Sequence, residues 1–266
     1  MNQARLLVVD SGLGGLSVAR AIRRELPSVS MIYAADYAAF PYGNWAESAL
    51  QDHLFAQISD WIGAHRPDAV VIACNTASTL ILPRLRASFE IPVVGTVPAI
   101  KPAASLSRSR LVSILATPGT VARDYTRALL AEFAADMEVA LIGSTNLAAL
   151  VEQWFIGGPS PDLRGAISAE LAPCFRRSND GRRTDCVVLA CTHFPLVKEV
   201  LRDLAPWQVN WIDPSPAIAR QAGHVLGAKA HAATPGTFDI ISSAPHGAER
   251  VRTVWKKLQP EGRVLP

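Results

Sequence analysis

The sequence predicts an α/β protein made of two similar halves, and three observations carry the prediction. The run at 70–73, Val-Val-Ile-Ala, has no polar alternation, as suits a parallel strand covered on both faces. It stops on Cys74, and Asn75, Thr76 and Ser78 suit the turn into a helix. The pattern returns as Cys186-Val187-Val188-Leu189-Ala190-Cys191-Thr192-His193, so Ala-Cys-Asn-Thr is echoed by Ala-Cys-Thr-His. The opening Arg5-Leu6-Leu7-Val8-Val9-Asp10-Ser11-Gly12 likewise resembles Arg110-Leu111-Val112-Ser113-Ile114-Leu115-Ala116-Thr117. Each half therefore begins with a strand and a turn and later delivers a thiol from a strand end, where ligands sit in open α/β sheets. The expected architecture is two pseudo-symmetric α/β domains, each a mostly parallel sheet flanked by helices. Residues 1–97 with 208–266 form the first and 98–207 the second. About a pseudo-twofold axis, Cys74 and Cys191 would face each other across one cleft, and that cleft is the expected active site.

The elements follow in order. A strand at 6–9 leads through Asp10-Ser11-Gly12-Leu13-Gly14-Gly15 into a helix from 16 to about 26. The spacing is Gly-x-Gly-Gly, whereas a dinucleotide site has Gly-x-Gly-x-x-Gly. A second strand at 31–35 ends on Asp36, roughly where a ribose-binding acid would fall. Against a nucleotide stand Ser17 in place of the third glycine and the like charge that Asp10 would turn toward a pyrophosphate. The same helix amides suit a carboxylate equally well. Phe40-Pro41-Tyr42-Gly43 is a turn signal that presents a phenol and a backbone amide. An amphipathic helix at about 47–65 follows, then the Cys74 strand, a helix through 86 and a short strand near 92–94. Thr96-Val97-Pro98 reads as the crossover.

The second half opens with a strand at 111–115 and the Thr117-Pro118-Gly119-Thr120 turn, then a helix to about 133. Next come a strand near 139–142 and a helix carrying Leu150-Val151-Glu152, where Glu152 is either an exposed helix charge or an acid reaching the cleft. The arginine-rich stretch at 176–183 reads as a solvated loop. After the Cys191 strand come a helix, a strand at 209–212, Asp213-Pro214-Ser215-Pro216 and a helix to about 226. From 238 onward a strand and then a helix are expected to pack back on the first half.

With 266 residues, 49% hydrophobic and 18% charged, the chain has ample material for cores. A net charge of +3 without an aromatic-interleaved basic stripe does not imply nucleic acid as a ligand. The first apolar run is broken at Asp10, unlike a signal peptide, and no segment approaches the roughly 18 apolar residues of a membrane span. The expectation is a cytoplasmic protein without a membrane partner. Four cysteines without a Cys-x-x-Cys are too few for a disulfide scaffold, which leaves reduced thiols. Cys174 and Cys186 read as ordinary buried residues, whereas Cys74 and Cys191 each end a strand beside polar groups.

Two thiols on opposite sides of a cleft suit a reaction that removes a proton from one face of a carbon and returns one to the other. A cysteine with an ordinary pKa near 8.5 is only about 3% thiolate at neutral pH. Lowering the pKa to about 6.5 raises that fraction more than twentyfold, for roughly 2.7 kcal/mol of thiolate stabilisation. Helix amides after each cysteine supply part of it, and His193, two residues from Cys191, supplies more. Asp10 would act oppositely, so it is assigned to accepting a proton or holding a substrate ammonium. Other readings stand beside this one. Both cysteines could be plain core residues. A zinc site from Cys186, Cys191 and His193 lacks a fourth ligand and short paired spacings. A cysteine hydrolase leaves one thiol unexplained. A two-lobed protein binding small anions would need no chemistry at all.

The motifs Asp10-Ser11-Gly12-Leu13-Gly14-Gly15-Leu16, Pro41-Tyr42-Gly43, Ala73-Cys74-Asn75-Thr76-Ala77-Ser78, Ala116-Thr117-Pro118-Gly119-Thr120, Leu150-Val151-Glu152 and Cys191-Thr192-His193-Phe194-Pro195-Leu196 span most of the chain. Together they resemble the glutamate racemase family, within the wider aspartate/glutamate racemase group. The resemblance implies interconversion of L- and D-glutamate without cofactor or metal, supplying D-glutamate for peptidoglycan. It implies Cys74 and Cys191 as acid and base on opposite faces of the α-carbon, assisted by Asp10 and His193, with Glu152 a further candidate. It implies substrate binding by Asp10, Ser11, Pro41, Tyr42, Gly43, Asn75, Thr76, Thr120, Thr192 and His193. Glutamate as the small-molecule partner and a homodimer are implied too, with another acidic amino-acid racemase as the near alternative. The chain departs from the family's usual pattern at Asn44-Trp45-Ala46-Glu47-Ser48 and at Gly143-Ser144-Thr145-Asn146-Leu147.

Overall fold

Most of the uniformly apolar runs become buried parallel strands, the run at 139–142 with its exposed Leu141 being an exception, and the computed structural model describes residues 3–259. The first stretch alternates strand and helix: β1 (Arg5–Asp10), α1 (Leu16–Glu25), β2 (Ser30–Ala35), α2 (Glu47–His65), β3 (Ala69–Ile72), α3 (Asn75–Ser88) and β4 (Val93–Gly95). Leu16, Val18, Ala19 and Ile22 turn one face of α1 inward, and its last turn carries Arg23 and Arg24 at the negative end of the helix dipole. Arg66, left-handed with φ 45°, closes α2 by donating its backbone N–H to the Ile62 carbonyl (2.8 Å).

A second series follows: α4 (Ile100–Leu106), β5 (Leu111–Ala116), α5 (Pro118–Val121), α6 (Asp124–Phe133), β6 (Glu138–Gly143), α7 (Leu147–Ile156), α8 (Pro161–Leu171), β7 (Cys186–Ala190), α9 (Lys198–Leu204) and β8 (Asn210–Ile212). The chain then returns to the first sheet with α10 (Ser215–Leu226), β9 (Phe238–Ser242) and α11 (Gly247–Leu258). Two compact units result, one from residues 3–96 with 215–259 and the other Val97–Pro214. The return crossing falls after Pro214, later than the boundary expected at 207, because β8 pairs with β7 and so belongs to the second sheet.

The first sheet has the order β4-β3-β1-β2-β9 and the second β6-β5-β7-β8, with every pairing parallel. Matching β1 to β5 and β3 to β7 makes the shared part of the two orders identical, so the halves repeat in topology as well as in sequence. One detail of the sequence match is corrected. Read residue against residue, Val9 would correspond to Ile114. The ladders instead pair Val9 with Ile72, two before Cys74, and Leu115 with Leu189, two before Cys191. Val9 therefore corresponds to Leu115, Asp10 to Ala116 and Ser11 to Thr117. A one-residue slip reverses the faces of a strand, so the faces decide the register.

The first unit buries one cluster around Leu7, Val9, Ile32, Val70 and Ile72, which extends to Tyr42, Leu50, Leu54 and Cys74. The second buries Ile100, Val112, Ile114, Cys186, Val188 and Ile212. Among the described residues no helix is long and apolar enough to cross a membrane.

Candidate active site

In the first unit the residues singled out by sequence gather at the carboxyl ends of β1, β2 and β3. The Ala73 N–H donates to the Val9 carbonyl (2.8 Å), which brings Asp10 and Cys74 to the same end of neighbouring strands. Asp10 is fully buried, and its Oδ2 accepts the Gly12 N–H at 3.2 Å. Gly15 closes over it: a Cβ there would stand 2.7 Å from the Asp10 Cβ, 2.8 Å from the Tyr33 hydroxyl and 3.2 Å from the Ala73 Cβ. Only glycine lets α1 begin this close to β1 and β3. Cys74 occupies the N-cap of α3, at the positive end of the helix dipole, a setting that favours thiolate. Asn75 and Thr76 form its first turn and are buried, as is Ser11. Both polar atoms of the Asn75 amide are buried without a hydrogen-bond partner among the described residues. Such a group suits a water or a ligand that both donates and accepts.

Pro41, Tyr42 and Gly43 belong to a compact segment after β2, with short 3-10 turns at Tyr37–Ala39 and Tyr42–Asn44 and a cis bond between Phe40 and Pro41. Tyr42 is buried, while Gly43 is open to solvent. The Tyr42 hydroxyl donates to Asp36 Oδ2 at 2.9 Å. Burial, then the charges of Asp36 and Cys74, hold the Tyr42 phenol well above its ordinary pKa; its bond to Asp36 and the Asp10 charge add to this. Tyr42 therefore stays a neutral phenol whose proton points at Asp36. Asp36 also meets His53 Nε2 at 2.6 Å and accepts the Ser243 hydroxyl at 2.6 Å. The sequence brought up Asp36 only as a ribose ligand; its carboxylate is instead filled by side chains from α2 and from the segment after β9.

In the second unit Cys191 follows β7, and His193 lies two residues on. The Cys191 Sγ is 3.9 Å from His193 Nδ1, and His193 Nε2 is 3.1 Å from Glu152 Oε1 on α7. All three are buried, so Glu152 is an internal acid and the exposed alternative falls away. Burial alone would lower the His193 pKa, but hydrogen bonds to Cys191 and Glu152 and their negative charges outweigh it, leaving the imidazole well above its ordinary value. A thiol, an imidazole and a carboxylate in line can pass a proton and stabilise a thiolate as an ion pair. Thr192 is buried beside them, and the buried Thr120 hydroxyl lies 3.1 Å from that of Thr117 at the end of β5.

The remaining thiols differ. Burial pushes Cys174 up to about 12; burial first, then the Asp185 charge, pushes Cys186 up to about 11. Both stay protonated and inert. Cys186 takes the Asn210 amide at 3.7 Å, and among the described residues no three His, Cys, Asp or Glu side chains gather as a metal site would need.

Residues 16–222 match the model of the Asp/Glu/hydantoin racemase family. The chain belongs to this racemase family. The glutamate racemase of Agrobacterium fabrum is 51% identical over 236 residues, covering 88% of this chain and 85% of that protein. The glutamate racemase of Sinorhizobium fredii is 52% identical over 218 residues, 82% and 80% of the two chains. The Escherichia coli glutamate racemase, solved with L-glutamate and the activator UDP-MurNAc-Ala, superposes with TM-score 0.85 at 39% identity over 96% of this chain and 95% of that one. The racemase match takes in Cys74, Glu152, Cys191 and His193, while Asp10 and Ser11 lie just before it. The contacts of Asp36 with His53 and Ser243 escape sequence reasoning because no local spacing links a strand end to α2 and to a residue two hundred positions away.

Proposed function

We propose that this racemase interconverts L- and D-glutamate by a two-base mechanism, without cofactor, and so supplies D-glutamate for peptidoglycan. The observation that carries the reading is the repeated strand–cysteine unit, with Asp10 at the strand end next to Cys74 and His193 beside Cys191. One thiolate removes the α-hydrogen as a proton, the C–H electron pair passes into the substrate's carboxylate, and the opposite thiol delivers its proton to the other face. No atom is oxidised or reduced; the thiols exchange protonation states and recover through solvent. Cys74 and Cys191 take the two faces, and the enantiomer bound decides which is the base. His193, held as a cation by Glu152, stabilises the Cys191 thiolate. Asp10 beside Cys74 holds a proton or the substrate ammonium.

The unpartnered Asn75 amide fits an amino acid: its Nδ2 donates to a carboxylate and its Oδ1 accepts from the ammonium. Ser11, Thr76, Thr120, Thr192 and the Tyr42-Gly43 turn supply neutral contacts that orient the ligand without quenching a thiolate. The identity to two glutamate racemases favours glutamate over aspartate. The test is circular dichroism of the protein with L-glutamate alone in deuterated buffer, followed by mass spectrometry of the α-position. Decay of the optical signal with α-deuterium incorporation is expected, unchanged by a chelator or added nucleotide. Decay with aspartate only would move the assignment to the sister activity, and silence with both would overturn it.

A further inference from the structure

We propose that His53 is a positioning residue that, through Asp36, fixes the Tyr42-Gly43 turn in its substrate-binding geometry; the inference rests on the glutamate racemase reading. Asp36 is the centre of the arrangement. Its backbone N–H donates to the Asp10 carbonyl at 2.8 Å, which ties it to the β1 end that carries the site. Its side chain is buried, and a buried carboxylate without partners would be strongly destabilising. Three partners fill it: the Tyr42 and His53 side chains at Oδ2, 2.9 and 2.6 Å, and the Ser243 hydroxyl at Oδ1, 2.6 Å.

These partners rank differently as anchors. Tyr42 is the group being held. Ser243 also receives the Ala38 N–H at 3.0 Å, so it serves the loop backbone as well. His53 projects from the second turn of the long helix α2, whose Leu50, Leu54 and Ile58 are locked into the core. It is therefore the rigid reference against which Asp36, and through it Tyr42, is set. The Trp45 ring lies against His53, 5.2 Å between centroids, and the Trp45 indole donates to the Ala39 carbonyl at 3.0 Å. Both ends of the short 37–45 segment are thus referred to one imidazole. The consequence for Tyr42 is directional. Because its proton goes to Asp36, its oxygen turns only lone pairs outward, which suits a substrate ammonium or a water. The turn's backbone N–H groups are left to meet a carboxylate.

Nothing in this chain of contacts touches the α-carbon, so its loss weakens ground state and transition state alike. The experiment compares His53→Phe, which keeps the ring and removes the nitrogen, with His53→Gln, whose Nε2–H reaches a similar point. Steady-state racemisation is measured in both directions beside the wild type, together with hydrogen exchange of the 42–45 amides without substrate. The expected result for His53→Phe is a KM for glutamate raised about tenfold with a much smaller change in kcat, and faster exchange in the turn. His53→Gln should restore both. An unchanged KM, a fall in kcat alone, or equal losses in the two variants would overturn the proposal. Failure of the wild type to racemise glutamate would sink the functional reading instead, and the hydrogen exchange would still decide whether His53 holds the turn.

Discussion

Asp10 and His193, the residues proposed to assist the two thiols, are of opposite charge type. The ladders make Ala116 the counterpart of Asp10, so the second unit has no acid at that position and places an imidazole two residues after the thiol, where the first has Thr76. The repeat is one of backbone, and the side chains at these matching positions differ between the copies. If each thiol serves one face, Cys74→Ser and Cys191→Ser should each lower kcat for net racemisation by about 10²–10⁴-fold in either direction, whereas Cys174→Ala should leave it unchanged. Full activity in either serine variant would dispose of the two-base mechanism. A second prediction concerns pH. The raised folded pKa of His193 means that its cation contributes stability fully below the ordinary value of about 6.5, and that this is lost as pH rises through the folded value. Glu152→Gln removes one of the groups that raise it, so the loss of stability and the alkaline limb of kcat/KM should both move to lower pH. Urea midpoints and rates across a pH series read this, and an unmoved limb would remove His193 from the proton path. The cysteines, Asp10 and His193 were legible because they sit in local motifs. The engagement of Glu152 with His193 was not, since helix periodicity cannot tell an inward acid from an outward one.

At the scale of elements, the strands and longer helices were legible because burial on both faces writes continuous apolar runs and amphipathic helices write a period. The expected 47–65 helix is α2 as it stands. The short α4, which carries Pro102, and α8, between the Gly157-Gly158 turn and the arginine-rich loop, left too weak a pattern to be read. The register of β5 was missed for a related reason: apart from Asp10 at the end of β1 and Ser113 within β5, the buried residues of both strands are apolar, so sequence similarity alone does not distinguish neighbouring alignments. The start of α1 makes a prediction of this kind. Gly15 has helical backbone angles, φ −61° and ψ −8°, so its glycine is needed for space and not for conformation. Gly15→Ala should force α1 away from Asp10 and Ala73, costing about 1–3 kcal/mol of stability with a loss of activity from the displaced carboxylate. A wild-type urea midpoint in Gly15→Ala would mean that the helix yields freely and does not fix Asp10.

For the whole molecule, chain continuity separates the two units more sharply than their similar topology suggests. Val97–Pro214 is one uninterrupted segment with a complete four-stranded sheet and its own buried cluster, within the size range of independent domains. The other unit is closed only by the returning chain. α10 buries Ile218, Ala219, Ala222 and Leu226, β9 adds the strand beside β2, and the buried Arg23 guanidinium donates to the carbonyls of Pro27, Val29 and Thr237 at 2.9, 3.1 and 2.7 Å. Ser28 donates to the Ala230 carbonyl at 2.6 Å, and Ser243 completes the Asp36 carboxylate. Without residues beyond 214, Arg23 would lose its Thr237 partner, Asp36 one of its three side-chain partners, and β2 an entire ladder. A fragment of residues 97–214 should therefore show native-like helical and strand signal in far-ultraviolet circular dichroism and a cooperative urea transition, while residues 1–96 alone should show no cooperative transition. Because each fragment holds only one of the two thiols proposed to act on the α-carbon, Cys74 or Cys191, neither should racemise glutamate. A non-cooperative 97–214 fragment would mean that the continuous unit draws its stability from the rest of the chain and that the repeat folds only as a pair.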